Sequence, residues 1–122
     1  MLDNLQLNTI VPVIIVLSSI TLLIYFAWKT LITSNLFQKG LKFFQEKDYQ
    51  NAEAVFRKVT SINSTNDVVR LLLGDSLLKQ GKVEEAIEKY QEVITRAPKK
   101  ADAYLRLSRI CMEQDKQQEA IQ

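Results

Sequence analysis

Polar and apolar positions divide this chain into two regimes. Residues 10–28 read IVPVIIVLSSITLLIYFAW without a single charge, and the apolar run continues through Leu31 and Ile32. About 20 such residues, rising ~1.5 Å each, cross a hydrocarbon core of ~30 Å. The stretch therefore predicts a helix over 9–31, with a membrane-spanning part at 10–31 after a short tail, 1–9. From Thr33 onward the pattern changes. Apolar residues recur at intervals of three and four, separated by short polar breaks, which is the spacing of amphipathic helices. It predicts helices over 33–46, 49–62, 67–80, 83–96, 101–114 and 117–122, and no strand. No Pro or Gly separates Trp28 from Gln38, so the span is expected to run on into the first of these helices.

Details inside the apolar run fit a span. Pro12 falls in the first turn, where its missing N–H does no harm. Ser18, Ser19 and Thr21 can bond to carbonyls of their own helix, which makes them tolerable in lipid. Tyr25 and Trp28 stand near one end, at the depth where amphipathic rings collect, and Lys29 follows at once. A cleaved signal peptide fits poorly. Residues 1–9 hold no Lys or Arg, and the run ends in bulky YFAWK rather than a small-x-small site. A buried core helix fits poorly too, because the run is apolar on all sides. Lys29, Lys39, Lys42 and Lys47 follow the span against no basic residue before it. The positive-inside rule then puts the N-terminus outside and the remainder in the cytosol or a plastid stroma.

The second regime repeats itself. Starting at Gly74, a step of 34 residues lands on Gly40 and on Ser108; from Ala86 it lands on Ala52 and Ala120. Tyr90 steps back to Phe56, and Leu77 to Phe43 and forward to Cys111. The units run 33–66, 67–100 and, incomplete, 101–122. These positions resemble the tetratricopeptide-repeat family, whose signature is Leu-Gly, a bulky residue, a small residue, an aromatic and a late Pro. The second unit carries it in Leu73-Gly74, Leu77, Gly81, Ala86, Tyr90 and Pro98. The first carries Gly40, Phe43, Tyr49, Ala52 and Phe56, and the third Tyr104, Leu107, Cys111 and Ala120. The resemblance implies an all-α fold, an N-terminal transmembrane helix followed by a solenoid of antiparallel helix pairs over 33–122.

The residue types make physical sense in that frame. Two helices approach closely only where a side chain is small, hence Gly40, Gly74, Ser108, Ala52, Ala86 and Ala120 as packing positions. The aromatics Phe56 and Tyr90 are expected to fill the gap between successive units. Gly81 suits the left-handed end of a helix, and Pro98 stops the one before it. Asn66 or Asp67 is expected to cap the next. Lys39 and Arg70 stand where the family has large apolar residues, so their stems are expected to pack while their charges reach water. Ser64 replaces the late Pro of the first unit. The incomplete third unit is expected to fray, or to be completed by a partner or a second copy.

Composition narrows the chemistry. All sixteen Lys and Arg and thirteen of the fourteen acids lie at Lys29 or beyond, with signs interleaved. That is a solvated surface, not the basic stripe of a nucleic-acid binder. The chain has no His and one Cys, Cys111, so it lacks the usual general base and any thiolate cluster. Its three glycines form no phosphate loop. No enzyme, cofactor or metal is expected. Glu84, Glu85 and Glu88 sit at a helix start and read as helix-dipole patterning.

The resemblance also implies where a partner would sit. In the family the first helix of each pair lines a concave face. Carried over, its positions are Phe37, Leu41 and Phe44; Leu71, Asp75 and Leu78; Leu105, Arg109 and Met112. The Lys and Asn clamp with which some members hold acidic tails is absent. The trough is largely apolar, suited to an apolar helix or extended segment of a protein partner. Two outcomes stay open: these side chains face a partner, or they pack internally, with Asp75 pairing with Arg109 one unit on. One span followed by about three such units also resembles the photosystem I assembly group of cyanobacteria and algal plastids. That likeness implies a thylakoid bilayer and a photosystem I subunit as client. An import or secretion receptor, or a tether for another membrane complex, shares the layout.

Overall fold

A computed structural model describes the backbone of residues 4–121 and the side chains of residues 4–118. The described residues form five helices and no strand: α1 (Asn4–Gln45), α2 (Tyr49–Ile62), α3 (Asp67–Lys79), α4 (Val83–Arg96) and α5 (Ala101–Ile121). The all-α expectation holds. The chain divides into two compact units, Met1–Ser34 and Asn35–Gln122.

In the first unit α1 is long and apolar enough to cross a membrane, and none of its apolar window is buried within the protein. Five of its Ser and Thr side chains turn inward on the helix itself. Thr9, Ser18, Ser19, Thr21 and Thr30 each donate a hydroxyl hydrogen bond to a carbonyl four residues earlier, at 2.8–2.9 Å. Pro12 lies inside the helix, which begins at Asn4 rather than near residue 9, so it occupies the third turn.

The second unit stacks helices in antiparallel pairs. α2 is capped by Asp48, whose carboxylate accepts from the Asn51 backbone N–H, and α3 by Asn66, whose amide oxygen accepts from that of Val69. Each cap satisfies a donor that the first turn leaves orphaned. The turns between paired helices both need a left-handed residue. Gly81 supplies it at φ 84°, and Lys47, one repeat earlier, adopts φ 64°. Gly meets that torsion without strain; a side chain does not.

The core explains the period of 34. At Gly40 a Cβ would lie 2.5 Å from the Phe56 ring, and at Gly74 one would lie 2.5 Å from the Tyr90 ring. Each aromatic therefore lies on the glycine of its own unit, and Tyr90 also lines the cleft toward the next one. Ala52, Phe56, Val59, Leu77, Ala86, Tyr90 and Val93 are wholly buried around these contacts. Arg70 departs from expectation. Its side chain is largely buried and its Nε lies 3.1 Å from Glu92 Oε2 in an ion pair, so the charge is paired rather than sent to water. Lys39 stays exposed, its ammonium 6.0 Å from the centre of the Phe43 ring.

A carboxylate ties the α3–α4 turn to α2. Glu53 accepts from Arg57 at 2.9 Å, from Gln80 at 2.9 Å and from Lys82 at 3.1 Å. Burial alone would raise its pKa, but these donors outweigh it and bring it down to about 2.

The largest difference from expectation is in α5. Separate helices at 101–114 and 117–122 merge into one, Ala101–Ile121. Asp115 is the repeat equivalent of Lys47 and Gly81, yet it stays helical. Residues 116–121 read KQQEAI and offer little apolar surface. Folding back would lose helical hydrogen bonds and bury almost nothing. Ser108, at the position of Gly40 and Gly74, is exposed, as is Pro98, two residues past the end of α4. The Ala120 side chain lies outside the described residues.

Candidate functional site

The first helices of the pairs, α1 from Asn35 onward, α3 and α5, carry the nine residues expected to line the trough. Phe37, Leu41 and Phe44 are half-buried and packed against the core, and so is Leu78. Leu71 is core itself, with 4% of its surface exposed, so it presents no face to a partner. Leu105 and Met112 are 59% and 58% exposed, and Arg109 is exposed beside them.

Asp75, Leu78, Leu105 and Arg109 converge on one cleft of about 340 Å³ between α3 and α5. Lys79, Asp102 and Glu113 complete its charged rim. Phe37, Leu41 and Phe44 lie along α1, away from this lining. The cleft thus offers two leucine side chains at its centre and charges of both signs around them. Apolar anchors with a polar rim are the usual anatomy of a protein-binding surface.

Asp75 is already engaged. Tyr90 donates its hydroxyl to Asp75 Oδ1 at 2.6 Å; Arg106 donates from Nε to Oδ1 at 2.8 Å and from Nη2 to Oδ2 at 2.9 Å. Such fork-shaped pairing is the strong form of an ion pair. Burial pushes the Tyr90 hydroxyl above its ordinary pKa, and the neighbouring carboxylate pushes it further. The hydrogen bond to Asp75 likewise raises Arg106.

The sequence had pointed to Arg109 as the alternative partner of Asp75; the partner is Arg106. Residues three apart on a helix differ by about 60° around its axis. Arg106 lies toward the packed side of α5, with the buried Ala103 and Ile110, whereas Arg109 is rotated toward solvent. Arg109 is left facing the cleft, its guanidinium unengaged by any ion pair among the described residues. The signal for Arg106 was its spacing of three and four from Ala103 and Ile110, which put it on the apolar stripe.

A tetratricopeptide-repeat family model matches residues 71–122, and a second matches residues 43–88. Together they cover residues 43–122, about two thirds of the chain, and over those residues the chain belongs to the tetratricopeptide-repeat family. Proteins of this class are, in general, scaffolds that bind other proteins and catalyse nothing themselves. A search of curated proteins found no match for this chain.

Proposed function

We propose that this chain is a non-catalytic adaptor, anchored in a bilayer by α1, that holds a client protein in the trough formed by α1, α3 and α5. The observation that carries the reading is the cleft at Leu78, Leu105 and Arg109, continuous with exposed Met112, on a repeat domain of a protein-binding class. Phe37, Leu41 and Phe44 extend the trough along α1, and Asp75 shapes it through Arg106 rather than by touching the client. The client presents an apolar helix or extended segment, with a carboxylate placed for Arg109. The tether raises the local concentration of membrane clients without any further contact. Positive charge following the span supports an outside N-terminus and repeats in the cytosol or stroma.

The likeness of this layout to the photosystem I assembly group supports a photosystem I subunit as client and a thylakoid membrane as the site. The experiment replaces Cys111 with Ser, places single crosslinkable cysteines at Phe44, Leu78 and Met112, and identifies what each captures in native membranes. A photosynthetic subunit caught at Leu78 and Met112 is the expected result. A precursor protein or translocation component caught there points instead to an import or secretion receptor. Lipid adducts on α1 with nothing caught in the trough end the adaptor reading.

A further inference from the structure

The cleft between α3 and α5 holds one half-buried acid, Asp75, and two arginines, Arg106 and Arg109. Asp75 and Arg109 are equivalents one repeat apart and of opposite charge. Yet Asp75 gives both oxygens to Arg106, whose Nε reaches Oδ1 at 2.8 Å and whose Nη2 reaches Oδ2 at 2.9 Å. The Tyr90 hydroxyl holds Oδ1 from α4 at 2.6 Å. Arg109 is exposed, and among the described residues it stands in no ion pair, with the rim acids Asp102 and Glu113 or with any other. At the first junction the positions of Asp75 and Arg106 are both leucine, Leu41 and Leu72, so the repeat frame needs neither charge.

We propose that Arg106 is a positioning residue: it holds Asp75 away from Arg109 and so keeps the Arg109 guanidinium free for a client carboxylate. The inference rests on the adaptor reading for its client, though not for the contacts within the chain. A carboxylate in a partly dry cleft takes the best cation within reach, because a low local dielectric strengthens the pairing. With Arg106 in place the acid is neutralised by a two-pronged pair, and Arg109 gains little by approaching it. Without Arg106 the carboxylate keeps only the Tyr90 hydroxyl, and two cations on the cleft wall compete for it. Lys79, one turn along α3, is exposed and offers a single point of charge; Arg109 offers the planar fork that Asp75 already accepts. Arg109 then takes the acid, and the cleft loses the one guanidinium it can present to a client. Asp75 is thus a rival of the client, and Arg106 removes it from the contest without touching the client itself.

The test reads the reactivity of each arginine toward phenylglyoxal in the full chain in detergent micelles, located by peptide mass spectrometry. Ion pairing holds a guanidinium protonated and occupied, so Arg109 should react about fivefold faster than Arg106, or more, in the wild type. Arg106→Leu should slow Arg109 by about as much, and Arg106→Lys should leave it fast. Asp75→Asn added to Arg106→Leu should return Arg109 to its wild-type rate. A merely structural role for Arg106 predicts instead that the double variant is no better than the single. Arg70, largely buried in its own ion pair, stays slow only while the chain is folded. Should Arg106→Leu release Arg70 too, Asp75→Asn alone decides: Arg106 should turn fast with Arg109 unchanged. An Arg109 that stays fast in folded Arg106→Leu, or that speeds up in Asp75→Asn, overturns the proposal. The same variants, with Cys111→Ser and a crosslinkable cysteine at Leu78, should lose and regain capture of the client in native membranes. Capture unchanged while Arg109 slows overturns its link to the client. No capture even without the Arg106 change sinks the adaptor reading and leaves the pairing within the chain standing.

Discussion

At the first junction between helix pairs, Leu41, Phe56 and Leu72 occupy the positions that Asp75, Tyr90 and Arg106 take thirty-four residues later. The frame is common to both: each aromatic lies on a glycine of its own unit, at the same close distance. The filling differs. The first junction is apolar and tolerant of small rotations, since dispersion and burial have no preferred direction. The second is a fork of charge-assisted hydrogen bonds that fit one rotation of α5 and no other. A polar cluster of this kind is weak evidence for added stability, because removing its members from water offsets much of what they gain together. What it defines is which side of α5 docks, and so which side is left exposed.

The contrast can be broken at its centre. Tyr90→Ala and Phe56→Ala should each cost about 3–5 kcal/mol, read from denaturant midpoints. Only Tyr90→Ala should also unfasten α5, seen as faster hydrogen exchange over residues 101–121 than in the Phe56 variant. Asp75→Ala comes next, at about 2 kcal/mol, because it leaves the Tyr90 hydroxyl buried without an acceptor. The triple change Asp75→Leu, Tyr90→Phe, Arg106→Leu writes the first junction into the second. It should fall within about 1 kcal/mol of the wild type, while loosening the choice of α5 face. A triple variant as damaged as Asp75→Ala would show that the fork carries stability in its own right.

Acid sharpens the picture from another side. Glu53 is held at a pKa of about 2, against an ordinary 4.5. A carboxylate depressed on folding contributes stability above its unfolded pKa and loses it as pH falls toward the folded value. The attachment of α2 to the α3–α4 turn should therefore weaken between about pH 4.5 and 2. Glu53→Gln should flatten that limb of a stability–pH curve and leave the Tyr90 junction unaffected. The smallest effect expected is at the turns. Lys47→Gly should stabilise by up to about 1 kcal/mol by relieving a left-handed side chain, and Gly81→Lys should lose a similar amount. Matched thermal melts check both.

Much of this architecture was legible because it rests on local rules. The bounds of α2 and α4 follow from amphipathic spacing and a polar break, and the Asn66 cap and the Gly81 turn from residue type. The glycine–aromatic register was legible because it recurs. The hidden features depend on distance across the fold. That Tyr90 and Phe56 lie on their own glycines, that Leu71 is core, and that Asp75 takes Arg106 over Arg109 are each decided by which neighbour reaches a position first. Spacing along one helix cannot show that. The unbroken α5 was hidden for a different reason. A turn forms only where the returning segment finds something to bury, and the residue type at Asp115 carries no information about the apolar surface of residues 116–121.

The hydroxyls of α1 carry one more implication. Thr9, Ser18, Ser19, Thr21 and Thr30 have each committed their proton to the helix's own backbone. At those five positions the rod has no hydroxyl proton left to offer a neighbour, and the exposed donors Tyr25 and Trp28 stand between Thr21 and Thr30. A second helix lying against the stretch from Thr9 to Thr21 would therefore meet shape and little else.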